Sequence, residues 1–149
     1  RATGRRERPR GNGASAVKPR FDEAVLVDYL AKLGWAAEPC GERTWHTTHP
    51  TAEGEVAVYL RLSDHWLIAT VVPFLATRGE LGFELSRWLL RMNRDMPLRK
   101  FTYDEDGDVL LTVEVPTESL DFGEVEKALV GLVEDVIRHR ATLRRAARA

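Results

Sequence analysis

A single cysteine, Cys40, stands in this 149-residue chain. No internal disulfide can form, and no pair of thiols offers a zinc spacing, so the usage fits a reducing compartment. Long apolar runs are scarce as well. The longest, Trp66 to Leu75, falls well short of the roughly 20 residues that cross a bilayer, and the front of the chain carries no apolar signal segment. These absences predict a cytoplasmic protein without a membrane span. Arg at position 1 leaves open whether the chain is a processed product or a piece of a longer one.

Signatures of catalysis are missing too. There is no Gly-rich phosphate loop, no G-x-S-x-G elbow and no H-E-x-x-H helix. Of the four histidines, His46 and His49 lie three apart in a segment that reads as extended. That spacing sends their side chains to opposite faces, whereas a shared metal needs a helical or an even strand offset. Cys40 sits in a Pro-Cys-Gly break with no adjacent basic residue to favour a thiolate. The run Asp104-Glu105-Asp106-Gly107-Asp108 invites a calcium reading. Counted from Asp104, however, the places that should hold Gly and Glu hold Val109 and Val115, so a solvated hairpin turn is the better reading. No catalytic residue, metal or cofactor is predicted, and the chain reads as a non-enzyme.

What is present is one domain's worth of apolar residues, 44 % of the chain, enough for a single packed core. The net charge of −1 hides three unlike blocks. Residues 1–20 hold seven Arg or Lys against one Glu, residues 21–137 hold ten against twenty-two acidic groups, and residues 138–149 hold five against none. Residues 1–20 are rich in Gly, Pro, Arg and Ala and nearly empty of large apolar groups, so they read as a disordered basic arm, a linker or leader before a tether. Residues 144–149 read as a basic tail. A nucleic-acid binder needs its cations on the folded surface. Here they sit at the ends, which makes nucleic acid or an anionic surface the alternative partner, reached through arm and tail.

Between them, residues 21–143 read as an α+β domain. Val25, Leu26, Tyr29, Leu30 and Leu33 recur at helical spacing before Gly34. Trp35 to Pro50 suits a short strand or hairpin, broken at Pro39-Cys40-Gly41. Val56, Val58, Leu60 and Leu62 alternate along a half-buried strand that turns at Ser63-Asp64-His65 into the apolar strand from Trp66. Leu98–Tyr103 and Val109–Val115 form a second hairpin about the Asp-Gly turn. Asp121 and Glu124 spell a capping box, with Leu120 and Val125 placed as a hydrophobic staple. The last helix puts Phe122, Val125, Leu129, Leu132, Val133, Val136 and Ile137 on one face, with Glu124, Lys127, Glu134 and Asp135 opposite. Arg138, Arg140, Arg144 and Arg145 crowd its C-terminal end, where the helix dipole favours positive charge. Trp35, Trp45, Trp66 and Trp88 read as core residues.

The helix predicted over Gly79 to Asn93 has apolar groups on two sides. Leu81, Leu85, Trp88, Leu89 and Met92 form the stripe that should face the sheet, while Phe83 and Leu90 lie on the reverse side among Arg87, Arg91 and Arg94. An outer helix face is normally polar, so this one predicts a second subunit or partner at Phe83, Arg87, Leu90 and Arg94. The predicted architecture is one mainly antiparallel, twisted five-stranded sheet with three helices, in the order α-β-β-β-α-β-β-α.

The stretch Leu89-Leu90-Arg91-Met92-Asn93, followed by Phe101, Asp106-Gly107 and Val109-Leu110-Leu111, resembles the YbjN family over about residues 21–143. The resemblance implies the fold of class I type III secretion chaperones, commonly dimeric through the middle helix, and no catalytic residues. Some bacterial members are described as sensory transduction regulators. The chaperone branch implies a homodimer that holds an extended segment of a client protein. The Arg-rich arm and tail depart from the compact family pattern.

Overall fold

The computed structural model describes residues 20–77 and 82–148. Helix α1 (Glu23–Lys32) starts at Asp22, whose carboxylate accepts the Val25 N–H at 3.0 Å, and it buries Leu26 and Leu30. Six strands follow in two runs: β1 (Ala37–Gly41), β2 (Thr44–Thr51), β3 (Gly54–Leu62) and β4 (Trp66–Leu75), then β5 (Arg99–Tyr103) and β6 (Val109–Pro116). Helix α2 (Phe83–Asp95) separates the runs, and α3 (Phe122–Ala147) closes the chain. Every neighbouring pair in the sheet order β1-β2-β3-β4-β6-β5 is antiparallel.

The sheet therefore has six strands where five are predicted. The additional strand is β1, which continues through the expected break with a shift in register between Pro39 and Gly41: Pro39 pairs with Trp45 and Gly41 with Thr44. Proline lacks an N–H but is tolerated on an edge strand, where that donor would face solvent. The chain reverses instead at Glu42-Arg43, with Arg43 at φ 49°.

One face of the sheet carries the core. Val56, Val58, Leu60 and Leu62 of β3, Leu67, Ala69 and Val71 of β4, and Val109, Leu111, Val113 and Val115 of β6 are all buried there, as period-two alternation requires. His46, Tyr59, Ile68, Thr70 and Thr112 occupy the opposite face, partly or largely exposed. His46 stacks on Tyr59 there, whereas His49 packs against Trp35, so the two histidines do point to opposite sides of β2. Of the tryptophans, Trp45 is buried and Trp35 packs partly against the core, but Trp66 and Trp88 are 46 % and 41 % exposed, which corrects their assignment to the interior.

Helix α3 begins at the capping box: Asp121 Oδ1 accepts the Glu124 N–H at 2.9 Å, and Glu124 Oε2 accepts the Asp121 N–H at 3.1 Å. Its buried face differs from the predicted one. Ile137 is 55 % exposed, whereas Asp135 and Arg140 are buried. Asp135 pairs with Arg99 of β5. Arg140 donates to three main-chain carbonyls, those of Phe74 (2.9 Å), Pro73 (3.0 Å) and Glu55 (3.1 Å). Residues 144–147, predicted as part of a tail, continue the helix, and Leu143 just before them is buried. Residues 1–19 of the predicted arm, and Gly79 and Leu81 of the predicted second helix, lie outside the described residues.

Candidate functional site

Helix α2 lies along β5 at one rim of the sheet and is fastened to it by polar contacts. Asn93 Nδ2 donates to the Phe101 carbonyl at 3.0 Å, and the Phe101 N–H donates to Asn93 Oδ1 at 2.7 Å. Ser86 and Tyr103 share a hydroxyl hydrogen bond of 2.9 Å. Lys100 caps the end of the helix, donating to the Met96 carbonyl at 2.6 Å and the Asn93 carbonyl at 2.5 Å. Leu85 and Leu89 are buried beneath the helix, and Met92 packs partly against the same core.

This anchoring turns the other side of α2 outward. Phe83 is 75 % exposed and Leu90 68 %. Arg87 lies over the Phe83 ring, 5.6 Å from its centroid, and pairs with Glu84 at 3.5 Å. Arg94 is held by Asp95, Nε to Oδ1 at 2.8 Å and Nη2 to Oδ2 at 3.1 Å. The Arg94 guanidinium holds the Asp95 carboxyl below the usual carboxylate range. All four predicted contact residues thus occur together on one exposed helix face, with two of the cations already neutralised by acids of the same helix. Trp88, predicted to face the sheet, instead lines a shallow cavity of about 380 Å³ with Arg87, Arg91 and Ala146 of α3.

A second concave surface was not legible in the sequence. A groove of about 570 Å³ runs between α1 and the β1–β2 hairpin, walled by Ala24, Val27, Ala31, Pro39 and Trp45. Charged Glu23, Asp28 and Arg43 lie around these apolar walls. Arg43 spans two acids, binding Asp64 at 2.8 Å and reaching Glu23 at 3.5 Å. The hydrogen bond from Arg43 holds the Asp64 carboxyl below its ordinary range. The available signal was Val27, an apolar residue on the side of α1 that the core stripe leaves bare; it is 49 % exposed.

Among the described residues no group of His, Cys, Asp and Glu is arranged to hold a metal ion. The acidic hairpin loop is organised from within: Asp104 Oδ1 accepts the N–H groups of Asp106 at 3.0 Å and Asp108 at 2.8 Å. No helix among the described residues is long and apolar enough to cross a membrane.

Comparison with known proteins places these features. Residues 22–144 match the family model YbjN, described as "Putative bacterial sensory transduction regulator". No curated protein sequence matches the chain. Among solved structures, a chain in the crystal structure of the ExsC–ExsE complex is similar at a TM-score of 0.60 and 21 % identity, covering 79 % of this chain and 90 % of that one. The Yersinia pestis type III secretion chaperone SycH in complex with a fragment of YscM2 gives a TM-score of 0.54 at 19 % identity, over 77 % and 96 % of the two chains. The HopA1–SchA chaperone–effector complex gives 0.58 at 17 % identity, over 79 % and 91 %. At these identities the likeness is one of fold.

Proposed function

The chain belongs to the YbjN family, and from that premise we propose that it is a non-catalytic binding protein of the cytoplasm, a homodimer that holds an extended segment of a partner protein. The observation that carries this reading is the two-sided helix α2, which buries Leu85 and Leu89 while holding Phe83 and Leu90 in solvent. Exposed aromatic and aliphatic groups on one anchored helix favour association by burial. A two-fold contact there would bring Phe83, Arg87, Leu90 and Arg94 of two copies together. The internal pairs Arg87–Glu84 and Arg94–Asp95 lessen the repulsion that facing arginines would otherwise meet.

The groove beside α1 is the seat proposed for the partner segment. Its walls are apolar and it adjoins β1, an outer strand of the sheet, so an extended peptide can place side chains in it while its backbone runs along the edge. The similarity in fold to chaperones solved with bound proteins supports this use.

The test is size-exclusion chromatography with light scattering on the parent chain and on the Phe83→Glu, Leu90→Glu variant across a concentration series. A dimeric parent and a folded, monomeric variant are expected, because two like charges per copy would be buried against their counterparts. A parent that is monomeric at every concentration, or a variant that stays dimeric, would rule out the α2 contact.

A further inference from the structure

We propose that the last turn of α3 and the flank of α2 beside it form a binding site for single-stranded nucleic acid, with Trp88 as the stacking platform and Arg91, Arg144 and Arg148 as the phosphate contacts. This surface is separate from the groove beside α1 and from the Phe83–Leu90 side of α2. Trp88 comes five residues after Phe83 and Arg91 one after Leu90, so at about 100° per residue both are turned away from that side. Two adjoining cavities make up the site. Trp88 and Arg91 of α2 line the first, of about 380 Å³, together with Ala146 of α3, and the indole is 41 % exposed. Ala147, the next residue, lines the second, of about 350 Å³, with Thr77, Arg144 and Arg148. Consecutive residues of one helix thus border both cavities, and a strand of linked groups can pass from one to the other across the end of α3.

The positive charge there is uncompensated. Among the described residues Glu84 is the one acid that lines either cavity, and Arg87 already pairs with it at 3.5 Å. No carboxylate of the described residues stands within ion-pair distance of Arg91, Arg144 or Arg148. The helix dipole favours cations at the end of α3. That accounts for Arg144 and Arg148, but not for Arg91 of another helix, nor for an indole left open beside it. Residues 21–137 hold ten Arg or Lys against twenty-two acidic groups, so an anionic strand meets net repulsion over the rest of the fold and is steered to this pole. Guanidinium groups alone would suit phosphates or an acidic peptide. The exposed indole decides between them, because every base offers a π-face to stack on it and an acidic side chain offers none.

The test is fluorescence anisotropy of a fluorescein-labelled ten-nucleotide oligothymidylate titrated with the full chain over a salt series. Binding at low salt is expected. Trp88→Ala should weaken it about fivefold to a hundredfold, the worth of one stacked base, while Trp88→Phe keeps most of the affinity. Changing Arg91→Gln together with Arg144→Gln should weaken binding and reduce the slope of log affinity against log salt by about 1.4, for two lost phosphate contacts on a single strand. No rise in anisotropy at low salt would overturn the proposal. So would an affinity unchanged in Trp88→Ala or in the double Gln variant, since the grip would then lie elsewhere in the chain. Displacement of the oligonucleotide by ten-residue polyglutamate as readily as by unlabelled oligothymidylate would also overturn it, in favour of an acidic peptide.

Discussion

Asn93 holds Phe101 by both of its main-chain groups, accepting its N–H at 2.7 Å and donating to its carbonyl at 3.0 Å. The side-chain amide stands where the backbone of a neighbouring strand would, and it fixes the pitch of α2 against β5. Asn93→Ala should lower unfolding stability by about 1–3 kcal/mol, since two partly buried backbone groups lose their partner. Asn93→Asp should recover little, because a carboxylate accepts the N–H but repels the carbonyl. Urea unfolding of both variants checks this. Wild-type stability in Asn93→Asp would show that the donor half of the clamp contributes nothing.

Arg140 is a buried cation that answers to carbonyl oxygens. Its three hydrogen bonds tie α3 to β3 and to the irregular end of β4, and burial pulls its pKa below the usual arginine value. Arg140→Ala should cost about 2–4 kcal/mol, through three unsatisfied carbonyls and the void left beside Phe74. Arg140→Lys should retain only a fraction of the stability, since an ammonium cannot span the planar fork. Thermal unfolding of the two variants ranks these effects.

The buried Asp135 pairs with the part-buried Arg99, with Arg138 a further 3.6 Å contact of Asp135. Removing only the acid by Asp135→Ala strands Arg99 and should destabilise by about 3–5 kcal/mol. Replacing both, as Asp135→Leu with Arg99→Met, should cost much less than either single change. Denaturation of the full double-mutant cycle tests it, and additive costs would mean that the pair is not coupled.

Stability should also depend on pH through His49 and His139. Burial holds both imidazoles below the ordinary histidine pKa. The unfolded chain therefore binds their protons first. Their contribution is complete above the unfolded value of about 6.5 and declines as pH falls below it, levelling once the folded-state pKa is passed. His49→Gln and His139→Gln should each flatten the profile between about pH 7 and 5. Asp64 and Asp95, whose pKa values lie below normal in the fold, act in a lower window, around and below pH 4. Unchanged slopes in both histidine variants would remove this account.

The legible parts of the fold were those in which local chemistry and core placement agree. The Asp121–Glu124 box, the alternation from Val56 to Leu62 and the Asp-Gly hairpin all signal their structure within a few residues, and each is found where it was read. The opposed apolar sides of α2 were legible too, because Phe83 and Leu90 interrupt a face of arginines. What escaped were residues whose type contradicts their slot. Arg140 lies four after Val136 and three before Leu143, both buried, so the helical period places it in the core while its charge argues for the surface. Asp135 was hidden in the same way, since its partner Arg99 comes from a strand 36 residues away. The groove went unread because its walls belong to α1, β1 and β2, and only the register that pairs Pro39 with Trp45 brings them together.

The clamp at Phe101 also bears on how the sheet ends. A sheet that is to propagate from molecule to molecule needs an open rim on both sides, one to receive and one to offer. In this chain the β5 rim is interrupted at Phe101, whose two main-chain groups are taken by Asn93 of α2, while β1 at the far rim is short and carries Pro39, which withholds a donor. If β1 receives a partner strand as proposed, the clamp at Phe101 obstructs the opposite rim on which a next copy would have to build. Such an obstruction would favour ending strand addition with the partner, a useful property in a protein whose proposed task is to hold extended segments without being drawn into fibres with them.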